Sequence, residues 1–518
     1  MKQQSAMQRV STLWKANAIV FISSFCVMVI ELVAARILAP HIGVSLYTWT
    51  SIIGTILASI ALGNYLGGKI ADRYTSHVVL VLIFLAGSLT TIAILPATKM
   101  VTGVNLFSGM PPMLNFTLKT FCIFFVPAVI LSMVSPLVIK LTLEDLGQTG
   151  GVVGTIYAIS TAGAILGTFM TGFYFILWFG LRQIVWLVAV VLFLTGALAW
   201  FSWKSPGRWA FSRQNITLWI VAFIVAVAGA VLYQYRDKWQ ETYTRESNYY
   251  SIQVSTIDGK TKSLSLDHLL HAYVVVDDPK ALHYRYLKTF DEIVQYVNPD
   301  GRPLKALHLG GGGYSFPRYL EAVYPGSLND VVEIDPAVTE VVYEELGLPR
   351  DTTISTYNMD ARQFLIQRSS GPRYDIVVGD VFNDFSTPYH LTTLEFDRMV
   401  KANMEKDGIY LVNIIDSYQL GRYMASVIRT LKQTFNNVYL FNTQPNWEYA
   451  GTATYVLAAS DRHIDLADFK RFVTRGGREA NAYAHDETRL EEYLVERGAL
   501  LLTDEYAPTD ILLAQVQR

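Results

Sequence analysis

Apolar positions run together in the first half of the chain and alternate with polar positions in the second half. A mostly apolar run of about 20 residues is long enough to cross the ~30 Å hydrocarbon core of a bilayer as a helix. Seven such runs occur, at 17–38, 46–68, 78–97, 118–139, 151–178, 183–203 and 216–235. The sequence therefore predicts a transmembrane helical bundle of about seven spans over residues 1–235. Glycines in GNYLGGKIADR (63–73) would let its helices approach closely.

The later pattern predicts a soluble α/β structure. Residues 236–300 begin with a polar linker (236–247). The Asp-Gly and Leu-Asp turns that follow predict a small β-sheet, and a helix is predicted at about 279–297. Strand-like and helix-like segments then alternate over 301–518, which is typical of a mostly parallel, Rossmann-like sheet. The predicted strands are KALHL (305–309), DVVEID (330–335), TISTYNMD (353–360), YDIVVGD (374–380) and GIYLVNI (408–414), with a hairpin across 436–459.

Charge divides the chain at the same place. Of 42 Lys and Arg and 44 Asp and Glu residues, 13 basic and 4 acidic ones lie in 1–235, which leaves 29 basic and 40 acidic in the second half. An acidic domain argues against nucleic acid, which requires a basic footprint, and suits a cationic substrate. The two cysteines, Cys26 and Cys122, both lie in apolar runs, so neither a disulfide framework nor a metal site is expected.

Glycines and acidic residues stand where the predicted parallel strands end, the edge at which such sheets bind ligands. Glu333 ends the second strand, where a carboxylate can accept from both hydroxyls of a ribose. Asp360 ends the third strand, placed to accept from an adenine amino group, and Asp380 ends the fourth. The glycines that follow the first strand, and let the backbone pass close to a ligand, are Gly310, Gly311, Gly312 and Gly313.

These strand-end residues also indicate the charge of the ligand. No GK[ST] follows the glycine turn and no basic residue lies in it, so a phosphate is not expected there. Several carboxylates at adjacent strand ends would repel a phosphate and attract a cation. A nucleoside with a positive charge and no phosphate is an S-adenosyl sulfonium. Helix caps and solvated loop aspartates are the alternative for each acid taken alone.

Together these motifs resemble the spermidine synthase family, the polyamine aminopropyltransferases, in the membrane-fused form with an N-terminal helical bundle. The resemblance covers about 245–460 through ESNYYSIQV, LSLD, LHLGGGG, VVEID, NMDARQFL and YDIVVGDVFND, and ELVAARILAPHIG and LGNYLGGKIADR resemble that form's bundle. It implies a class I SAM-methyltransferase-type Rossmann-like fold. It also implies transfer of an aminopropyl group from decarboxylated S-adenosylmethionine to an amine such as putrescine, with release of methylthioadenosine.

The resemblance also implies roles for individual residues. Asp380 would be the base that deprotonates the attacking amine, with Asp384 as a second catalytic acid. The residues implied in nucleoside binding are Gly310, Gly311, Gly312, Gly313, Glu333 at the ribose, Asp335, and Asp360 with Ala361 at the adenine. Those implied in polyamine binding are Tyr250, Tyr284, Asn383 and Pro388.

Departures from the family pattern remove contacts to a charged amine. Gly313 replaces an aspartate that binds the aminopropyl ammonium, and Asn383 replaces the second acid, with Asp384 next to it. His-Tyr-Arg at 283–285 stands in place of a tyrosine-histidine-glutamate stretch. Because a charge-assisted hydrogen bond is worth about 1.5–3 kcal/mol, losing several would lower polyamine affinity by orders of magnitude.

Three functions therefore stay open on the sequence. The first is aminopropyl transfer to a small cationic polyamine. The second uses intact S-adenosylmethionine and either methylates an acceptor or cleaves the sulfonium to methylthioadenosine. The third is a nucleoside sensor without catalysis that is coupled to the bundle. A homodimer is a further possibility.

Two features of the sequence give opposite predictions for the side of the membrane on which the soluble domain lies. Basic residues before the first span and after the second and sixth all fall on one side, which favours a cytoplasmic N-terminus. Seven crossings would then place the soluble domain outside, whereas an enzyme of a cytosolic nucleoside is expected inside. We give the ligand more weight and expect a multi-pass protein of the cell inner membrane with a cytoplasmic catalytic domain.

Overall fold

The computed structural model describes residues 2–42, 46–103, 107, 110–143, 149–202, 242–267, 269–368, 371, 373–382, 387–446 and 451–514. The chain divides into two compact units, Met1–Gln240 and Glu241–Arg518.

The described part of the first unit is helical. Its helices are α1 (Lys2–Ile42), α2 (Leu46–Arg73), α3 (His77–Gly103), α4 (Pro112–Ser132), α5 (Val134–Thr142), α6 (Thr149–Met170), a π-helical turn (Thr171–Phe175), α7 (Ile176–Trp178) and α8 (Leu181–Ser202). Six segments of the described chain are long and apolar enough to cross a membrane: Leu13–Ala39, Leu46–Arg73, His77–Gly103, Met113–Thr142, Thr149–Phe175 and Leu181–Trp200. They coincide with the first six predicted spans. The predicted seventh span, 216–235, lies outside the described residues.

Glycines bring helix α2 into backbone contact with the segment around the end of α4. A Cβ atom at Gly67 would lie 2.7 Å from the Cα of Met133, and one at Gly63 would collide with the carbonyl oxygen of Val129. Gly63 and Gly67 are one helical turn apart, so both face the same neighbour. The close helix approach predicted from 63–73 is therefore confirmed.

The second unit begins with a four-stranded antiparallel sheet in the order β1-β2-β3-β4. Its strands are β1 (Thr242–Glu246), β2 (Ser251–Thr256), β3 (Thr261–Leu266) and β4 (Leu269–Val275). Its apolar face, which includes Ile252, Leu264 and Val274, packs with Val338 and Val342 of a helix of the larger sheet. The predicted small sheet is thus confirmed.

An eight-stranded sheet forms the centre of the second unit. Its strands are β5 (Lys305–Leu309), β6 (Leu328–Val332), β7 (Ser355–Tyr357), β8 (Tyr374–Gly379), β9 (Met404–Asp416), β10 (Asn437–Asn442), β11 (Ala453–Ser460) and β12 (Tyr483–Ala484). Their order is β12-β10-β11-β9-β8-β5-β6-β7. Strands β5 to β9 pair in parallel, and β11 pairs antiparallel with both β9 and β10. The predicted Rossmann-like sheet and its terminal hairpin are confirmed, and the strand order reverses at β5.

Helices cover both faces of this sheet. They are α9 (Arg285–Val297), α10 (Ser315–Val323), α11 (Pro336–Glu345), α12 (Ala361–Gln367), α13 (Leu394–Ala402), α14 (Tyr423–Leu431), α15 (Leu466–Val473), α16 (Glu487–Glu496) and α17 (Thr509–Ala514). One core joins Leu307 and Val377 to α12, α13, α14 and α16. The other joins Ile376 and Val378 to α9, α10 and α15. Because both faces are covered, the central strands are nearly continuous apolar runs.

Two of the predicted parallel strands end earlier in the structure than in the sequence analysis. Strand β6 stops at Val332 and β7 at Tyr357, so Glu333 and Asp360 lie in the loops that follow. The physical reason at β7 is local: the Asn358 side chain donates to the carbonyl oxygen of Glu333 (3.2 Å), and Asp360 caps helix α12.

The contact at Gly67 generates the first prediction. Gly67→Ala should destabilise the first unit by about 1–3 kcal/mol, because the added methyl overlaps main-chain atoms that cannot move independently. Gly68→Ala is the matched control, since a Cβ there meets nothing within 4 Å. Thermal unfolding of the full chain in detergent measures both. Equal melting temperatures for the two variants would contradict the packing described here.

Candidate active site

The glycine turn after β5 lies at the centre of a cavity of about 160 Å³. Gly310 has a φ of 93°, and a Cβ atom there would overlap the carbonyl oxygen of Asp380, so only glycine fits. Tyr314 ends the turn in the left-handed region with a φ of 54° and is fully buried. Its hydroxyl lies 3.1 Å from Thr356 Oγ1. The turn is therefore fixed by a strained tyrosine that sequence reasoning did not single out.

Glu333 lies against this turn. Its Oε2 accepts from the backbone N–H groups of Gly311 (2.9 Å) and Gly312 (3.3 Å), and its Oε1 accepts from the N–H of Asp335 (3.0 Å). Burial raises the pKa of the Glu333 carboxyl, and the three N–H donors oppose that change. The side chain is thus held rigidly, with acceptor capacity left for a ligand in the cavity that it lines.

Asp335, unlike Glu333, makes its side-chain contacts outside the cavity lining. Its Oδ1 accepts from the N–H of Ala337 (2.9 Å) as the cap of helix α11, and its Oδ2 accepts from the Ser247 hydroxyl. It is not among the described residues that line the cavity. The structure therefore gives this acid a structural contact, where the sequence analysis expected nucleoside binding.

Asp360 and Ala361 also line the cavity. Asp360 Oδ1 accepts from the N–H groups of Arg362 (2.9 Å) and Gln363 (3.0 Å) at the start of α12. Its Oδ2 lies 2.8 Å from Nε2 of His390, and this hydrogen bond lowers the pKa of the Asp360 carboxyl. His390 was not predicted from the sequence, because it lies in the segment after β8 and no motif marks it.

Asp380 follows β8 directly, and the structure surrounds it with neutral donors. The Tyr286 hydroxyl of α9 donates to Oδ2 (2.9 Å), and the Asn413 amide of β9 donates to Oδ1 (2.8 Å). Burial raises the pKa of the Asp380 carboxyl, while these two hydrogen bonds lower it. Tyr286 and Asn413 were both missed, although Tyr286 belongs to the buried stripe of an amphipathic helix that the sequence shows.

The residues predicted to bind the polyamine, and the predicted second catalytic acid, divide into two groups. Tyr250, Tyr284 and Pro388 line the cavity. Asn383 and Asp384 lie outside the described residues. The Tyr284 hydroxyl donates to the carbonyl oxygen of Leu270 (3.1 Å), so only its ring and its oxygen lone pairs are left for a ligand. Arg285 is absent from the described lining.

An apolar wall lies next to the last glycine of the turn. A Cβ atom at Gly313 would lie 2.5 Å from Cβ of Ala272 and 2.9 Å from Cγ2 of Val274, both on β4. No side chain therefore fits at 313 beside these two residues. Ser315 also belongs to the cavity lining, and its Oγ is buried with no hydrogen-bond partner among the described residues.

The described lining contains carboxylates and histidines but no lysine or arginine. Burial lowers the pKa of His308 to about 4, so its ring is neutral at physiological pH. Within the described chain, no group of three or more His, Cys, Asp or Glu residues is arranged to hold a metal ion. The arrangement therefore fits a cationic nucleoside, because Asp380, Glu333 and Asp360 follow strands β8, β6 and β7 at the same edge of the sheet.

Comparison with known proteins points in the same direction. The chain is 29% identical over 172 residues to a probable polyamine aminopropyl transferase from Bifidobacterium longum, which covers 33% of this chain and 37% of that protein. It is 28% identical over 148 residues to the Homo sapiens eEF1A lysine and N-terminal methyltransferase, which covers 27% of this chain and 21% of that protein. No family model matches.

A crystal structure of a probable spermidine synthase from Corynebacterium glutamicum aligns with 51% of this chain and 97% of its own, at 23% identity and a TM-score of 0.45. The matched segments span less than half the length of the curated relatives above. The family resemblance expected from the motifs is nevertheless confirmed: this chain is a relative of the spermidine synthase family, the polyamine aminopropyltransferases.

Proposed function

We propose that this chain transfers an aminopropyl group from decarboxylated S-adenosylmethionine to an amine such as putrescine and releases methylthioadenosine. The observation that supports this most is the Asp380 carboxylate, which is buried beside the glycine turn with Tyr286 and Asn413 on its two oxygens. A carboxylate held in this way can orient an amine and accept its proton. The relationship to polyamine aminopropyltransferases supports the same reaction class.

The proposed reaction is a displacement at carbon. The lone pair of the acceptor nitrogen attacks the aminopropyl carbon next to sulfur, the C–N bond forms as the C–S bond breaks, and the bonding pair stays on sulfur. The sulfonium becomes a neutral thioether, and the nitrogen's proton passes to Asp380. Burial raises the pKa of Asp380, which makes it a better proton acceptor near neutral pH. Alignment of the two substrates in the cavity supplies the rest of the acceleration.

The other cavity residues have binding roles in this proposal. Glu333, which is fixed against the glycine turn, accepts hydrogen bonds from the ribose hydroxyls. Asp360 and Ala361 lie at the adenine ring of the nucleoside. The rings of Tyr250 and Tyr284 offer π-faces to a cationic acceptor, a contact worth about 0.5–2 kcal/mol. Asp384 and Asn383 keep their proposed roles from the sequence.

We also propose that the first unit lies in the cell inner membrane and that the second faces the cytoplasm. Six described helices with suitable length and apolarity support membrane insertion. A cytosolic nucleoside substrate supports the cytoplasmic side.

The side of the membrane generates a prediction. A fluorescent protein that matures only in the cytoplasm should fluoresce when fused after Arg518, and an alkaline phosphatase fused at the same residue should stay inactive. The reverse pair of results would place the second unit outside and contradict its access to a cytosolic nucleoside.

The reaction itself is tested by its products, measured by mass spectrometry. Purified full chain should release methylthioadenosine from decarboxylated S-adenosylmethionine only when putrescine is present. Asp380→Asn should lower kcat by about 10²–10⁴-fold, because the base is lost, and leave nucleoside affinity nearly unchanged. Asp407→Asn, at an exposed acid outside the described lining, is the control.

Other products would contradict the proposal in distinct ways. Methylthioadenosine from intact S-adenosylmethionine alone would indicate cleavage of the sulfonium, and S-adenosylhomocysteine would indicate methyl transfer. Nucleoside binding without any product would indicate a sensor.

The hydrogen bond from Tyr286 generates a prediction about pH. Asp380 must be deprotonated to accept a proton, so activity should fall as the pH drops below its pKa. The Tyr286 hydrogen bond lowers that pKa, so Tyr286→Phe should raise it and move the acid limb of kcat to higher pH. A pH profile of kcat measures this shift. An unchanged acid limb would show that Tyr286 does not act on the titrating group.

A further inference from the structure

His390 is a polar residue of the cavity that neither the motifs nor the proposed reaction uses. It lies on the short 3-10 helix Tyr389–Leu391 and lines the cavity beside Met359, Asp360 and Ala361. About a third of its side chain is exposed (34%), so a ligand in the cavity can reach the ring. Its backbone is also held, because Nη1 of Arg362 donates to the His390 carbonyl oxygen (3.2 Å).

Asp360 has limited capacity left for a ligand. An ionised carboxylate offers about four lone-pair sites. Two backbone N–H groups of α12 occupy Oδ1, and Nε2 of His390 occupies one site on Oδ2. Asp360 is the acceptor that the sequence predicts for the adenine amino group, but three of its contacts are already made within the protein.

The same hydrogen bond determines what His390 can offer. In a neutral imidazole one nitrogen donates and the other accepts. A carboxylate only accepts, so Nε2 is the donor toward Asp360 and Nδ1 is left as the acceptor. Nδ1 of His390 has no hydrogen-bond partner among the described residues. With the ring in its neutral form, the pair presents an acceptor nitrogen of His390 at the cavity surface.

We infer that His390 is a specificity-determining residue: its Nδ1 accepts a hydrogen bond from the 6-amino group of the nucleoside base, and Asp360 orients the ring for this contact. The inference rests on the proposed function for the adenosyl ligand and names the residue that recognises its base. An amino group at position 6 donates to this nitrogen. An oxo group at the same position places acceptor against acceptor and is rejected.

The test compares two thioethers, methylthioadenosine and methylthioinosine. The first has an amino group at position 6 and an acceptor at N1, and the second has an oxo group at position 6 and an N–H group at N1. Isothermal titration of the purified full chain at pH 8, where an ordinary imidazole is neutral, gives both dissociation constants. The wild-type chain should prefer the amino base by about tenfold, the usual worth of one such hydrogen bond. His390→Phe keeps a flat aromatic ring but removes both nitrogens, so methylthioadenosine affinity should fall about tenfold while methylthioinosine affinity stays the same. Tyr389→Ala, on the same 3-10 helix but outside the described lining, should change neither constant.

Two results would overturn the inference. One is a wild-type chain that binds both thioethers equally, a measurement that needs no variant to fold. The other is a His390→Phe chain that weakens both ligands equally, which would assign the residue to packing. The same measurements, together with the product assay, test the proposed function separately from this inference. Binding with the expected base preference but without aminopropyl transfer would refute the reaction and keep the inference, whereas transfer without base preference would do the reverse.

Discussion

The contact between Gly310 and the main chain of Asp380 is the constraint on which the site depends. Neighbouring parallel strands β5 and β8 end side by side, and the chain leaves β5 in a left-handed turn whose glycine touches the carbonyl oxygen of Asp380. The glycine turn and Asp380, the proton acceptor that we propose, therefore lie side by side in the lining of the cavity. Their separation is fixed by backbone geometry, so it does not depend on flexible side chains.

Burial and hydrogen bonding act in opposite directions on the acids of this lining. Removal from water raises the pKa values of Glu333 and Asp380, and backbone or neutral side-chain donors lower them. The result is a pair of carboxyl groups held in place, and the described lining of the cavity has no lysine or arginine beside them. A positively charged ligand, as proposed above, would supply the countercharge. This is the physical link between the fold and the proposed sulfonium substrate.

The elements that the sequence predicted well are those with a strong local pattern. Six long apolar runs, the alternation of strands and helices, and the glycine turn with acids after β6, β7 and β8 are all present in the structure. The position of Asp335 at a strand end does not show whether it binds a ligand. An acid followed by proline at such a position can equally be the N-cap of the next helix, as it is here. Glu333 and Asp335 are two residues apart, and only the fold shows which one faces the cavity.

Residues brought in from distant elements could not be predicted. Tyr286 reaches Asp380 from a helix that precedes it by 94 positions, and Asn413 reaches it from the next strand of the sheet. Neither has a local pattern, because a buried tyrosine on an amphipathic helix and a polar residue in an apolar strand usually mean packing. The role of Tyr314 in the turn could not be predicted either, because a left-handed backbone position is normally expected to hold glycine.

The apolar wall beside Gly313 has a consequence for how substrate preference can change in this lineage. Ala272 and Val274 of the small sheet fill the volume into which a side chain at 313 would project. A carboxylate cannot be introduced at the turn by one replacement, because the strand that covers position 313 must first move. A charged side chain at 313 therefore requires coordinated changes in two segments that are far apart in the sequence.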